Sequence, residues 1–257
     1  MQPGPARAAV REFGYEAILA VATLTLWPIL DERAVGTSEQ RARALVFTPI
    51  IGFAMGVALG LADRALAPVA GTGLRSLIVV SLSTIAMLGL PWRGIADTVE
   101  ALLVGDRPAS TGLARIGPVG AAAAIAAFTL EVLLLARIHD PASRVGALVM
   151  ASMLGRWSIV PVGYGLNAGE RWGLGVPYEG GIASREFAIS SVIALGLTMT
   201  LYAGLGLTVI VILALLVLGL RLLFSRRLGG APGCALAGAS ALIEIAVIAT
   251  LAAVAVS

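Results

Sequence analysis

Seven stretches of this chain, at residues 44–62, 74–90, 118–137, 145–164, 187–203, 205–221 and 238–256, are strongly apolar and carry few charges. Each approaches the roughly 20 residues a helix needs to cross about 30 Å of hydrocarbon. In lipid, every backbone N–H and C=O must be satisfied inside the protein, so such stretches fold as helices of a bundle. Composition agrees. Of the 257 residues 58% are hydrophobic and 13% charged, and the mean hydropathy of +0.95 lies far from that of soluble domains. The expectation is an all-α, polytopic membrane protein of about seven transmembrane helices, forming one integral-membrane domain over residues 1–257. Residues 17–30 are shorter and interrupted by Pro28, so an N-terminal interfacial helix is expected there. Residues 1–15 lack the apolar core of a cleavable signal.

The arginines orient this bundle. All 18 basic residues are Arg. One set of loops (31–43, 91–117, 165–186, 221–237) carries eleven of them, including Arg93, Arg115, Arg221, Arg226 and Arg227. The opposite set holds four, Arg64, Arg75, Arg137 and Arg144. The positive-inside rule places the first set in the cytoplasm, which implies a bacterial inner-membrane protein with its polar loops on the cytoplasmic side. The net charge of +3 then reports orientation and not nucleic-acid binding. The single cysteine, Cys234, excludes an internal disulfide. Gly52, Gly56 and Gly60 share the spacing of a small-residue helix interface.

The polar stretch "PWRGIADTVEALLVGDRP" (91–108) breaks this apolar pattern. As a helix it puts Arg93, Asp97 and Glu100 at i, i+4 and i+7, on one face. Two carboxylates so placed can hold a Mg²⁺ that also bridges substrate phosphates. Equally, Arg93 can pair with Asp97 on a solvated face. In mid-span, Glu131 is an expensive group that needs a partner or a proton.

The order of motifs resembles the cobalamin synthase family, the integral-membrane adenosylcobinamide-GDP ribazoletransferases. The matching segments are "FTPIIGFAMGVALG" (47–60), "GIADTVEA" (94–101), "ARIGPVG" (114–120), "GRW" (155–157), "GLGVPY" (173–178), "LGGAPGCALAG" (228–238) and "IEI" (243–245). The resemblance implies transfer of the activated cobinamide to α-ribazole or its phosphate, with release of GMP and dependence on Mg²⁺. It implies metal binding by Asp97 and Glu100, catalytic roles for these two with Arg115 and Arg156, and substrate binding by Gly94, Gly117, Gly120, Gly173 and Glu244. Partners so implied are membrane lipid and a phosphorylated corrinoid or nucleotide, with a homo-oligomer or a membrane complex as further assembly.

The chain also departs from the family pattern. Acidic motif positions hold Arg93, Leu113 and Cys234, and a basic one holds Glu131. Two readings of the swap stand side by side: Arg93 pairs with Glu131, or Glu131 is protonated and bonded to nearby backbone. The losses motivate an alternative function, a catalytically inactive relative serving as a ligand-binding or accessory subunit. A small transporter is a third reading, weakened by the lack of an inverted repeat.

Overall fold

The computed structural model describes residues 43–104, 116–166, 182–202 and 204–256. Among these there is no strand. A 3₁₀ turn, Leu45–Phe47, leads into α1 (Thr48–Leu66), followed by α2 (Thr72–Ala86), α3 (Leu90–Val104), α4 (Pro118–Ala136), α5 (Pro141–Gly163), α6 (Ser184–Leu201), α7 (Gly206–Leu223) and α8 (Gly233–Val256). Among the described residues, five helical segments are long and apolar enough to cross a membrane: Leu45–Leu66, Pro118–Ala136, Pro141–Gly163, Gly206–Leu228 and Gly233–Val254. The pair α2 and α3 makes a sixth when taken together. Helix α6 falls short on apolarity because Arg185 and Glu186 occupy its first turn. The chain is a multi-pass, all-helical membrane protein, as its hydropathy foretold. The expected interfacial helix at 17–30 lies outside the described residues.

Helix α5 is the axis of the bundle, 89% buried across its apolar window, against 17% for α4 and 22% for the segment containing α7. The last two present Leu130, Leu133, Leu215 and Leu218 outward, where lipid covers them. Lipid tails are as apolar as leucine, so packing must come from close backbone approach. Helix α1 achieves this on α5: a Cβ at Gly52 would lie 2.5 Å from the Ser152 carbonyl oxygen, and one at Gly56 would lie 2.5 Å from Val149 Cα. The glycine spacing noted in the sequence is thus a helix interface.

Where the sequence suggested one span over 74–90, the chain breaks. Leu88 and Gly89 both take positive φ, 47° and 69°, and α3 leaves α2 at 82°. The left-handed turn ends α2 because its last N–H groups bond back onto it, Gly89 N–H to the Thr84 carbonyl at 2.8 Å. Trp92 then pins α3 to α2 by donating to Thr84 Oγ1 at 2.8 Å. The reason for the miss is local: "LGLPW" reads as apolar, and hydropathy does not register a change of direction.

The two ends of the bundle are distinct. At one, Asp63 (α1), Arg75 (α2) and Arg144 (α5) meet in a buried network. At the other, Gly163 at the end of α5 lies against Ile182 before α6 and Leu236 in α8. There too Arg221 donates from α7 to the Pro161 carbonyl at 2.6 Å and to that of Tyr164. Those carbonyls belong to the last turn of α5, which has no later turn to bond, and a cation there also suits the helix dipole.

Candidate functional site

Helix α3 lies between the starts of α4 and α8. Its buried residues include Pro91, Gly94, Ile95, Ala96 and Glu100. On one side Gly94 rests on α8, where a Cβ would collide with the Cys234 carbonyl and the Gly238 N–H. On the other, a Cβ at Gly120 would collide with the Ala96 carbonyl. These glycines, expected to bring backbone toward a ligand, here bring three helices into backbone contact. They build the platform on which the charged residues stand.

Asp97 remains partly open on that platform. Arg93 Nε approaches its Oδ2 at 3.4 Å, with the two side chains 25% and 19% exposed. This i,i+4 pair settles the alternatives for Arg93: its ion pair is with Asp97, and no pair with Glu131 forms. Glu131 is buried in α4, in the electrostatic field of Glu244 and Arg156. The charge swap seen in the sequence is therefore not a swapped ion pair.

Glu100 points elsewhere. It is buried, and Gly120 N–H donates to its Oε2 at 2.7 Å. Gly117, the N-cap of α4, sits so close to that carboxylate that any Cβ there would overlap it. So the glycines of "ARIGPVG" and the second carboxylate of "GIADTVEA" form one contact.

Arg156 and Glu244 form a second level. Arg156 is 1% exposed; its Nη1 donates to Glu244 Oε1, and its Nη2 reaches Met55 Sδ at 3.5 Å. Gly155 clears the space for Glu244. Ten residues separate Glu244 from Cys234 on α8, about 15 Å of helix. The pair therefore locks α5 to α8 inside the bundle, well below α3. The structure groups Gly94, Asp97, Glu100, Gly117 and Gly120 at one end, and Arg156 with Glu244 deeper. Arg115 and Gly173 lie outside the described residues.

Among the described residues, no three His, Cys, Asp or Glu side chains are arranged to hold a metal. Cys234 takes its place near Asp97, in whose field it lies, and contributes no carboxylate. The donor set, one partly open carboxylate with an arginine beside it, does not suit an ion held by protein alone. It does suit Mg²⁺ carried by phosphates, which keeps its waters and takes one or two protein carboxylates.

Sequence reasoning missed the Asp63 network. Its signal was an aspartate at the end of an apolar run with Arg75 and Arg144 at the starts of two others.

A family model described as cobalamin-5-phosphate synthase matches residues 16–255, nearly the whole chain. The chain belongs to the cobalamin-5-phosphate synthase family. Among its relatives, the adenosylcobinamide-GDP ribazoletransferase of Pseudomonas paraeruginosa is 29% identical over 267 aligned positions, covering 95% of this chain and 100% of the relative. The protein of the same name from Syntrophobacter fumaroxidans is 28% identical, covering 88% of this chain and 93% of its own. That from Pseudomonas savastanoi pv. phaseolicola is 28% identical, with 83% and 89% covered. No solved structure matches. In this member of the cobalamin-5-phosphate synthase family, then, the motif glycines Gly94, Gly117, Gly120 and Gly238 lie where α3, α4 and α8 meet.

Proposed function

We propose that this protein joins adenosylcobinamide-GDP to α-ribazole or its phosphate, releasing GMP, at the end of the bundle where α3 lies between the starts of α4 and α8. The single observation that carries the reading is Asp97, a partly open carboxylate on a helix fixed by backbone contact on both sides. Family membership over residues 16–255, and relatives of that name matched over most of their length, support it.

The reaction forms one P–O bond to the acceptor oxygen as the P–O bond to GMP breaks. Catalysis of such a step is mainly positioning and charge neutralisation. Mg²⁺ bound between Asp97 and the substrate phosphates would supply the second, as a Lewis acid on the phosphoryl oxygens. The start of α8 lies near enough to Asp97 for Cys234 to sit in its field, and the positive end of that helix dipole favours an anion there. Arg115, two residues before Gly117, is the second phosphate cation in this reading. Arg156 and Glu244 hold α5 and α8 together beneath the site.

We place this end in the cytoplasm of a bacterial inner membrane. Arg226 and Arg227 are exposed there, whereas Arg75 and Arg144 at the opposite end are buried against Asp63. That burial sharpens the charge bias counted from sequence.

The test is turnover by purified protein in detergent or nanodiscs, with adenosylcobinamide-GDP, α-ribazole and Mg²⁺, following GMP and corrinoid product by chromatography. Product formation that falls to background in Asp97→Ala supports the reading. Background levels in both proteins, with the folded chain shown intact by size exclusion, overturn it.

A further inference from the structure

We infer that Glu100 is a positioning residue: its carboxylate caps α4 from a neighbouring helix and fixes where the chain enters the site, leaving Asp97 to face the substrate. The inference deepens the proposed transferase reading, and rests on it for the identity of the site.

Helix α4 begins without a cap of its own. Gly117 occupies the N-cap with extended backbone (φ −72°, ψ 163°) and makes no side-chain cap bond. Ordinarily a Ser, Thr, Asn or Asp at that position accepts from the N–H of the second or third helical residue. Here the third helical residue, Gly120, gives its N–H to Glu100 Oε2 at 2.7 Å, twenty residues away on α3. The acceptor an N-cap would supply thus comes from another helix, and it lies at the positive end of the α4 dipole.

The glycines make this geometry obligatory. Any side chain at 117 would overlap the Glu100 carboxylate, and one at 120 would overlap the Ala96 carbonyl. Removing Gly117's hydrogen for a methyl therefore attacks the same contact as removing the carboxylate. The Oε2 atom so committed cannot leave for another partner without releasing the first turn of α4. Asp97, one helical turn earlier and held only by a 3.4 Å approach of Arg93, is under no such constraint.

Two measurements on the full-length chain test this. The first is a thermal-unfolding cycle of Glu100→Ala, Gly117→Ala and the double variant, which needs no substrate. Each single change is expected to lower Tm, and the double to lower it no further than the worse single, because alanine at 100 removes the group that a 117 side chain would strike. Additive losses overturn the inference. The second is the Mg²⁺ dependence of turnover. Glu100→Gln keeps an acceptor oxygen for Gly120 N–H, so it should retain at least a third of the activity and leave half-saturating Mg²⁺ within twofold, while Glu100→Ala loses tenfold or more in kcat. If Glu100→Gln raises the Mg²⁺ requirement as Asp97→Asn does, the residue is a ligand and the inference falls. Absence of all turnover would sink the transferase reading alone, since the thermal cycle reports on Glu100 independently.

Discussion

Arg144 and Asp63 bind each other in a side-on pair, Nη2 to Oδ1 at 2.7 Å and Nε to Oδ2 at 3.1 Å, with neither side chain exposed. The remaining Arg144 donors go to the Leu135 and Ile138 carbonyls and to Ser76 Oγ. One guanidinium therefore ties together α1, α2, the end of α4 and the start of α5. Fully buried, these donors have no water to fall back on, so a full set of partners is the condition for placing an arginine there.

Breaking that pair should be among the costliest single changes in the molecule. Asp63→Leu leaves Arg75 and Arg144 buried without their carboxylate, and a loss of about 3–5 kcal/mol is expected for uncompensated buried charge; Arg144→Leu leaves Asp63 to Arg75 and should cost less. Fluorescence-detected size exclusion should show Asp63→Leu as aggregated or absent. Monodisperse protein with wild-type Tm would contradict this.

Helix α1 should reject a methyl group at its contact with α5. Gly56→Ala puts Cβ 2.5 Å from Val149 Cα, backbone that cannot give way cheaply, and overpacking of this kind costs about 1–3 kcal/mol. Gly73→Ala, which meets nothing within 4 Å, is the control and should leave Tm near wild type.

Arg93 should compete with the metal for Asp97. A partly exposed i,i+4 pair contributes roughly 0.2–1 kcal/mol, so Arg93→Ala should lower half-saturating Mg²⁺ about 1.4- to 5-fold. Asp97→Asn should raise it and cut kcat, with Tm little changed. A rise in the Mg²⁺ requirement for Arg93→Ala would instead mean that Arg93 binds the substrate phosphates.

Asp140 caps α5 by accepting from the Ser143 N–H at 2.7 Å. That hydrogen bond holds its carboxyl below the usual value of 3.8. A depressed carboxylate stabilises the fold above the unfolded pKa, and the contribution disappears as pH falls through the folded one. Asp140→Ala should therefore lower Tm at neutral pH, and the difference from wild type should shrink as pH falls below 3.8. Asp140→Asn, which also caps, should behave near wild type at neutral pH. A pH-independent difference between Asp140→Ala and wild type would rule the cap out.

The helices were legible in the sequence because lipid imposes one rule on every apolar run, and runs such as 118–137 obey it nearly to the residue. The break at Leu88–Gly89 was not legible, since two residues with φ above zero leave no trace in hydropathy. At the site, "GIADTVEA" could be placed on one helical face, but that face divides: Asp97 stays partly open while Glu100 turns toward α4. Which way a side chain turns depends on what packs beside it, and Gly117 and Gly120 are far along the chain from Glu100. The same limit hid the partner of Arg156. Glu244 matches a motif of its own, and nothing in a single sequence ties residue 156 to residue 244.

The bend after α2 has a consequence for depth. Fifteen residues of α2 rise only about 22 Å before the chain turns, some 8 Å less than the hydrocarbon thickness. Helix α2 alone is thus too short to cross, and only together with α3, bent from it by 82°, does the pair qualify as a span.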